Sequence, residues 1–350
     1  MATGQSFIIA CFRLIHHAEQ SFSRRAYLTT DELCDVASRT SLEIDCLSAA
    51  DQLSHFHQVG RPGRWGLDCL ELAAHVRADG AIEDGAVALV FIERSCGSSI
   101  AGIPLNDNVV ISLPPGSEIR ASMRAGTIYR GIVVPVTDWL DIQHQTVGFV
   151  TSDTPKPSMF SLNGNQGSAL IKETSLLGDR LEAALIPDTS DAAAQQRLPL
   201  PISDCLAHLA DIQAHTESRY EAVNKSVDAR LRQALRAKDF ILAHLTEDLS
   251  VDRLCGAVGV SRRQLEYAFR TTFDCSPYDF IQSVRLNEIR RQLQRADGRT
   301  VTQIALDNGV QHLGRFSAAY RNLFGELPKE TARQNLTALA RHYKAGYRKG

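Results

Sequence analysis

The feature that most constrains this chain is a repeat near its C-terminus. Ser250-Val-Asp-Arg-Leu-Cys-Gly-Ala-Val-Gly-Val260 recurs as Thr300-Val-Thr-Gln-Ile-Ala-Leu-Asp-Asn-Gly-Val310. At an offset of 50, Val251 meets Val301, Leu254 meets Ile304, Gly259 meets Gly309 and Val260 meets Val310. One inserted residue later the offset is 51, pairing Leu265 with Phe316, Phe269 with Tyr320, Phe273 with Phe324 and Pro277 with Pro328. Apolar stays with apolar, Gly with Gly and Pro with Pro through two helical spans, so one supersecondary unit is written twice.

The punctuation of each copy predicts helix, tight turn, helix. Ser250 and Thr300 are N-cap residues, and Thr300-x-x-Gln303 and Ser261-x-x-Gln264 are capping boxes that satisfy the first orphan amides of a helix. Gly259 and Gly309 stand where the first helix of each copy must end in a positive φ. In the second helix Leu265 and Phe269, or Phe316 and Tyr320, point inward at i and i+4. That leaves Arg262, Arg263, Glu266 and Tyr267 outward in the first copy, and His312, Gly314, Arg315 and Ala319 in the second. A short helix, a glycine turn and a second helix with exposed donors is the pattern that sends its second helix into the major groove, about 12 Å wide.

Between the copies the sequence predicts a linker helix. Ser276 caps it, Pro277 fills its first turn, Asp279 complements its positive end, and Leu286, Ile289 and Leu293 form its buried stripe before Asp297-Gly298 stops it. A helix of about 20 residues spans roughly 30 Å. One turn of DNA is about 34 Å, so both second helices could enter successive major grooves on one face.

Charge agrees once it is divided. The formal net charge of -2 argues against a polyanionic partner, but residues 236–350 hold 19 Lys and Arg against 12 Asp and Glu, a net of +7. Residues 1–235 hold 19 against 28, a net of -9. Fifteen of the C-terminal basic residues are Arg, the better fit to phosphates and guanine edges. An acidic body is thus joined to a basic module.

The body reads as α+β. Ala86–Glu93, Val109–Leu113 and Ile128–Val136 are β-branched runs bounded by turn residues, with Pro114-Pro115-Gly116 between two of them and Asp107-Asn108 as turn chemistry. Thr30–Ser38 reads as a capped helix, and Thr151–Ser168, rich in Ser, Thr, Pro, Gly and Asn, as loop. Ile202, Leu206, Leu209 and Ile212 share one helix face that is read as core or, with a slight preference, as a dimer seam. Hydrophobic residues make up 44%, ample for real cores. No apolar run approaches the roughly 20 residues of a membrane span. The eight cysteines form no C-x-x-C pair, and the first ten residues lack the pattern of a secretory signal, so the expectation is a cytoplasmic, membrane-free chain.

The C-terminal residues 236–334 resemble the AraC/XylS family of bacterial transcription regulators. The resemblance rests on Leu-Ser-Val-Asp-Arg-Leu254, Gly259-Val-Ser261, Phe269-Arg270, Pro277-Tyr-Asp-Phe-Ile281, Arg285-Leu286, Gly309-Val-Gln-His-Leu-Gly-Arg-Phe-Ser317 and Phe324-Gly-Glu-Leu-Pro328. It implies a seven-helix domain with two reading motifs. It places Arg263, Glu266, Tyr267, His312, Gly314 and Arg315 where bases are read, and Arg262, Arg270 and Arg321 where phosphates are gripped. Val310 departs from the Phe usual there, and Gly314 offers a base no side chain. The N-terminal part is loosely similar to the subgroup containing the ethanolamine-utilisation regulator, through Asp51-Gln-Leu-Ser54, Leu113-Pro-Pro-Gly-Ser117 and Gly131-Ile-Val-Val-Pro135. That implies a cupin-like β-barrel followed by helices.

The expected organisation is therefore an effector-binding and dimerisation domain over 1–190, a helical connector over 191–235, an AraC-type domain over 236–335 and a basic tail over 336–350. The expected function is a ligand-responsive activator of a bacterial operon, working as a homodimer on double-stranded promoter DNA with RNA polymerase and an unknown small effector. No catalytic residue, metal or cofactor is expected. One alternative is a metal-dependent cupin enzyme with an accessory helical domain. His55-x-His57 would put two imidazoles on one strand face, but no Glu and third His complete the set, so a surface or core pair is the reading. The other alternative is a protein that coats DNA without an effector.

Overall fold

The computed structural model describes residues 21–28, 43–49, 53–148, 157–184, 197–216, 229–295 and 298–333. The chain forms two compact units: Met1–Ile44 with Gln52–Val227, and Asp45–Asp51 with Asp228–Gly350. The expected helix at Thr30–Ser38 and the basic tail lie outside the described residues.

The first unit is a mixed α+β body. Its strands are β1 (Phe22–Leu28), β2 (Glu43–Cys46, whose last residues count with the second unit), β3 (Ser54–Arg61), β4 (Trp65–Glu71), β5 (Val76–Ala81), β6 (Ala86–Arg94), β7 (Ser99–Ile100), β8 (Ile103–Pro104), β9 (Val109–Leu113), β10 (Glu118–Met123), β11 (Ile128–Pro135) and β12 (Ser158–Ser161). They form a seven-stranded sheet in the order β1-β3-β4-β11-β6-β9-β12 and a five-stranded one in the order β2-β5-β10-β7-β8. The registers are antiparallel, so the expected β-rich body is present as two antiparallel sheets.

Position in the sheet explains the sequences. β6 reads Ala-Val-Ala-Leu-Val-Phe-Ile because it pairs on both edges, with β9 and β11, and its residues Ala86–Leu89 are all buried. Pro135 ends β11, since it cannot donate to a ladder, and at φ -56° it leads into helix α1 (Val136–Val147). The predicted turns hold: Gly116 follows the two prolines at φ +72°, and the Asp107 carboxylate accepts from Ser95 N at 2.7 Å and Ser95 Oγ at 2.9 Å.

Two expectations are overturned. Thr151–Ser168 is not all loop: Ser158–Ser161 is β12, paired with β9, and helix α2 runs from Gly164 to Ala184. Of the Gly and Asn residues there, Gly167 is the one that serves close packing. A Cβ at Gly167 would lie 2.4 Å from the Leu162 carbonyl carbon, so only glycine lets the first turns of α2 reach that backbone. The second correction concerns helix α3 (Leu200–Ala214). Ile202, Cys205, Leu206 and Leu209 are fully buried within their own chain, in one cluster with Trp139 of α1 and Leu170, Leu177 and Leu181 of α2. The stripe is core and has no free face to offer a dimer seam.

The His55–His57 pair also settles into structural roles. The Tyr27 and His55 rings lie 5.2 Å apart, and the buried His57 ring fills the space over Gly178 of α2, where a Cβ would approach to 2.6 Å.

The second unit is helical: α4 (Ala229–Ala243), α5 (Val251–Val258), α6 (Arg262–Phe273), α7 (Pro277–Arg295), α8 (Val301–Asp307) and α9 (Leu313–Phe324), with helical turns resuming at 328–333. The expected domain start at 236 falls inside α4. Two apolar clusters hold the unit. One joins Ala234, Ala237, Ile241, Leu254, Leu265, Phe269 and Phe273 to Phe280, Ile281 and Val284; the other joins Ile304, Phe316 and Tyr320 to Leu286, Ile289 and Leu293. A distant piece of chain completes it. Asn287 accepts from Cys46 N at 2.9 Å and donates to Cys46 O at 2.8 Å, while the fully buried Asp45 carboxylate pairs with Arg291 at 2.6 Å. Among the described residues no helix is long and apolar enough to cross a membrane.

Candidate nucleic-acid interface

Each copy of the repeat turns at a glycine and then buries one stripe of its second helix. In the first, Ser250 Oγ accepts from Arg253 N at 3.1 Å and α5 starts there; the chain turns at Gly259, φ +73°. The Ser261 side chain accepts from the Gln264 amide, and Gln264 Oε1 accepts from Ser261 N at 2.9 Å, so α6 opens on a complete capping box. Leu265, Ala268, Phe269 and Phe273 then face the core. Phe269 packs edge-on against Phe273 and Phe280, with ring centroids 5.2 and 5.5 Å away. Burying that face forces the other outward. Arg263, Tyr267 and Arg270 are exposed, and Glu266 is half-buried.

The outward residues are not equally available. Arg262 lies 3.2 Å from Glu266 and 3.8 Å from Asp252, so a phosphate would compete with two carboxylates for it. Among the described residues Arg263 has no ion-pair partner. Tyr267, 54% exposed, presents its ring to Arg230 of α4, whose guanidinium lies 5.1 Å from the ring centroid. Sequence reasoning missed Arg230: it lies 37 positions upstream, and no periodicity links the two.

In the second copy the capping box, Thr300 with Gln303, opens the first helix, α8. α8 ends at Asn308, whose buried side-chain amide donates to Ile304 O at 2.8 Å, and Gly309 turns the chain at φ +74°. His312 occupies the N-cap of α9 without a side-chain cap bond, which leaves its imidazole exposed. Phe316 and Tyr320 are buried, and the Tyr320 hydroxyl lies 2.9 Å from Thr331 Oγ1. Burial raises the pKa of that hydroxyl, keeping it neutral. Val310 is partly buried against this cluster, so the departure from Phe still fills apolar space.

His312, Gly314, Arg315 and Arg321 are all exposed. A Cβ at Gly314 would meet nothing within 4 Å, so bare backbone faces open space where the first copy carries Arg263. Arg270 and Arg321, at matching repeat positions, both stand in the last turn of their helices. Two helix faces thus present guanidinium, imidazole and phenol groups, a set that donates to phosphate oxygens and purine edges.

Comparison with known proteins is concentrated on this unit. Residues 254–334 match a family model described as a helix-turn-helix domain. The chain is similar to the XylDLEGF operon transcriptional activator of Pseudomonas putida, 40% identical over 101 residues, covering 28% of this chain and 32% of that protein. A probable thc operon regulatory protein of Rhodococcus erythropolis is 27% identical over 196 residues, covering 55% of this chain and 58% of that one. Among solved structures, a transcriptional regulator from Chromobacterium violaceum with an AraC-type DNA-binding domain is 35% identical, covering 30% of this chain and 92% of that one, with a TM-score of 0.28. The chain spans about a third of the length of the first of these relatives.

Proposed function

From its C-terminal AraC-type helix-turn-helix domain, we propose that this chain is a sequence-specific, DNA-binding transcription regulator. The observation that carries the reading is the doubling of the reading face. Two helices, α6 and α9, expose the same repeat positions and bury the intervening ones. In this reading Arg263, Glu266 and Tyr267 of the first motif, with His312, Gly314 and Arg315 of the second, meet base edges. Arg262, Arg270 and Arg321 meet phosphates. Gly314 lets the second motif approach closely while reading little through that position.

The acidic first unit is then the sensor, binding a small effector, and activation of an operon is the output. A homodimer, engagement of RNA polymerase and a cytoplasmic location belong to the same proposal. An effector acts only through unequal affinity for two arrangements of the protein. Salt-titrated binding to promoter duplexes tests the assignment. Arg263→Ala loses about 1–3 kcal/mol and relaxes sequence preference, whereas Arg262→Ala weakens all duplexes alike and flattens the salt slope by about one unit. Two variants indistinguishable from the parent would sink the assigned face.

A further inference from the structure

The two apolar clusters of the helical unit part at one residue of the linker helix. Phe280, Ile281 and Val284 of α7 belong to the first motif's core, and Leu286, Ile289 and Leu293 to the second's. Between them sits Arg285, only 6% exposed. Its Nη2 donates to Leu245 O at 3.2 Å and to Glu247 O at 3.1 Å, in the stretch just before the first motif's N-cap at Ser250. On its other side is the turn of the second motif. A Cβ at Gly309 would lie 3.2 Å from that same Nη2 and 3.3 Å from Thr246 O. One guanidinium therefore touches the opening of one motif and the hinge of the other.

Arg290, one turn further along, secures the far end. It pairs with Glu326 at 2.9 Å, donates to the Tyr320 hydroxyl at 3.3 Å and lies 4.5 Å from the Phe324 ring centroid, holding the last turn of α9. Apolar contact is non-directional, and two separate cores allow the motifs to roll against each other on a common helix. Hydrogen bonds from a planar guanidinium to fixed carbonyls are directional and remove that freedom.

We propose that Arg285 is a positioning residue that sets the angle and separation of α6 and α9, so that both reach successive major grooves in phase. This rests on the DNA-reading function proposed above. Among the described residues no carboxylate lies within ion-pair distance of Arg285, whose burial is offset in part by the more distant charge of Asp248; a buried cation of that kind is a poor source of stability, and fixing geometry is the role that such groups are retained for in some proteins.

The test uses the full-length chain and duplexes that the parent itself selects from a random pool. The bipartite site so obtained is rebuilt with one to five base pairs inserted between its halves, and as each half alone. For the parent, every inserted pair turns the second half-site by roughly a tenth of a helical turn, so affinity falls steeply. Arg285→Met keeps the apolar stem and removes the fork. It is expected to lose at least tenfold affinity at the selected spacing, to show a flattened dependence on inserted pairs, and to bind each half-site within twofold of the parent. An unchanged spacing profile overturns the proposal, as does an equal loss on half-sites and full sites. If Arg285→Met does not fold, Gly309→Ala, which displaces the guanidinium from the other side, must flatten the profile instead, and an unflattened profile overturns the proposal. A parent that selects no bipartite site refutes the double-motif reading itself, a different result from a parent that selects one and a variant that keeps its spacing.

Discussion

Gly259 and Gly309 are equivalent in the repeat and adopt φ of +73° and +74°, yet their surroundings differ. The pair therefore separates two costs that usually arrive together. Alanine at either position pays for a left-handed conformation, about 1–2 kcal/mol, of which roughly 0.4–1 kcal/mol returns because the unfolded chain loses freedom. At Gly259 nothing more is added, since a Cβ there meets nothing within 4 Å. At Gly309 the Cβ would press on Arg285 Nη2 at 3.2 Å and Thr246 O at 3.3 Å, the second a backbone atom that yields only if the stretch before α5 moves. Overpacking of that kind adds about 1–2 kcal/mol. Gly259→Ala should thus cost about 1 kcal/mol or less, and Gly309→Ala about 1–3 kcal/mol, always the larger of the two. Urea unfolding followed by two probes measures this. Both tryptophans, Trp65 and Trp139, lie in the first unit, so fluorescence follows that unit, and the part of the circular-dichroism change that does not coincide with it follows the helical unit. Equal shifts for the two variants, at unchanged m-value, would refute the seating of the second motif's turn on Arg285.

Two further outcomes follow from the first unit. Leu209→Ala leaves a cavity among Trp139, Leu170 and Leu177 and should cost about 2–5 kcal/mol in fluorescence-detected unfolding; dissociation of an oligomer without loss of stability would return that stripe to an interface. Burial, and secondly the charge of Arg25, hold the pKa of His57 below its ordinary value, against the opposite pull of Glu182 and Asp179. Below the unfolded pKa of about 6.5 the unfolded chain binds the proton more readily, so stability is present above that pH and falls as pH drops through it. His57→Gln should flatten this part of the unit's stability profile, and an unchanged slope would show that other groups set it.

What could be read from the sequence alone was local. The caps at Ser250, Ser261 and Thr300, the glycine turns and the inward stripe of each second helix depend on residues within one or two turns, and they stand in the structure as expected. The misses share a cause: a residue's partner lay far along the chain. Gly167 looks like a loop residue until Leu162 is placed beneath it. The α3 stripe looks like a seam until α1 and α2 cover it. Arg230 looks like one more surface charge, and Arg285 enters only as part of a resemblance; the fold alone brings one to Tyr267 and the other between two motifs. Asp45 and Cys46 carry no signal that they complete a helical unit more than 200 residues away.

If the chain reads DNA as proposed, two copies of one motif read it side by side. Footprinting of the full-length chain on a duplex it has selected tests this most directly. Two protected segments are expected on one face of the duplex, about 10–10.5 base pairs apart centre to centre, with Arg263→Ala weakening one and Arg315→Ala the other. A single protected segment, or protection spread evenly along unrelated duplexes, would contradict it.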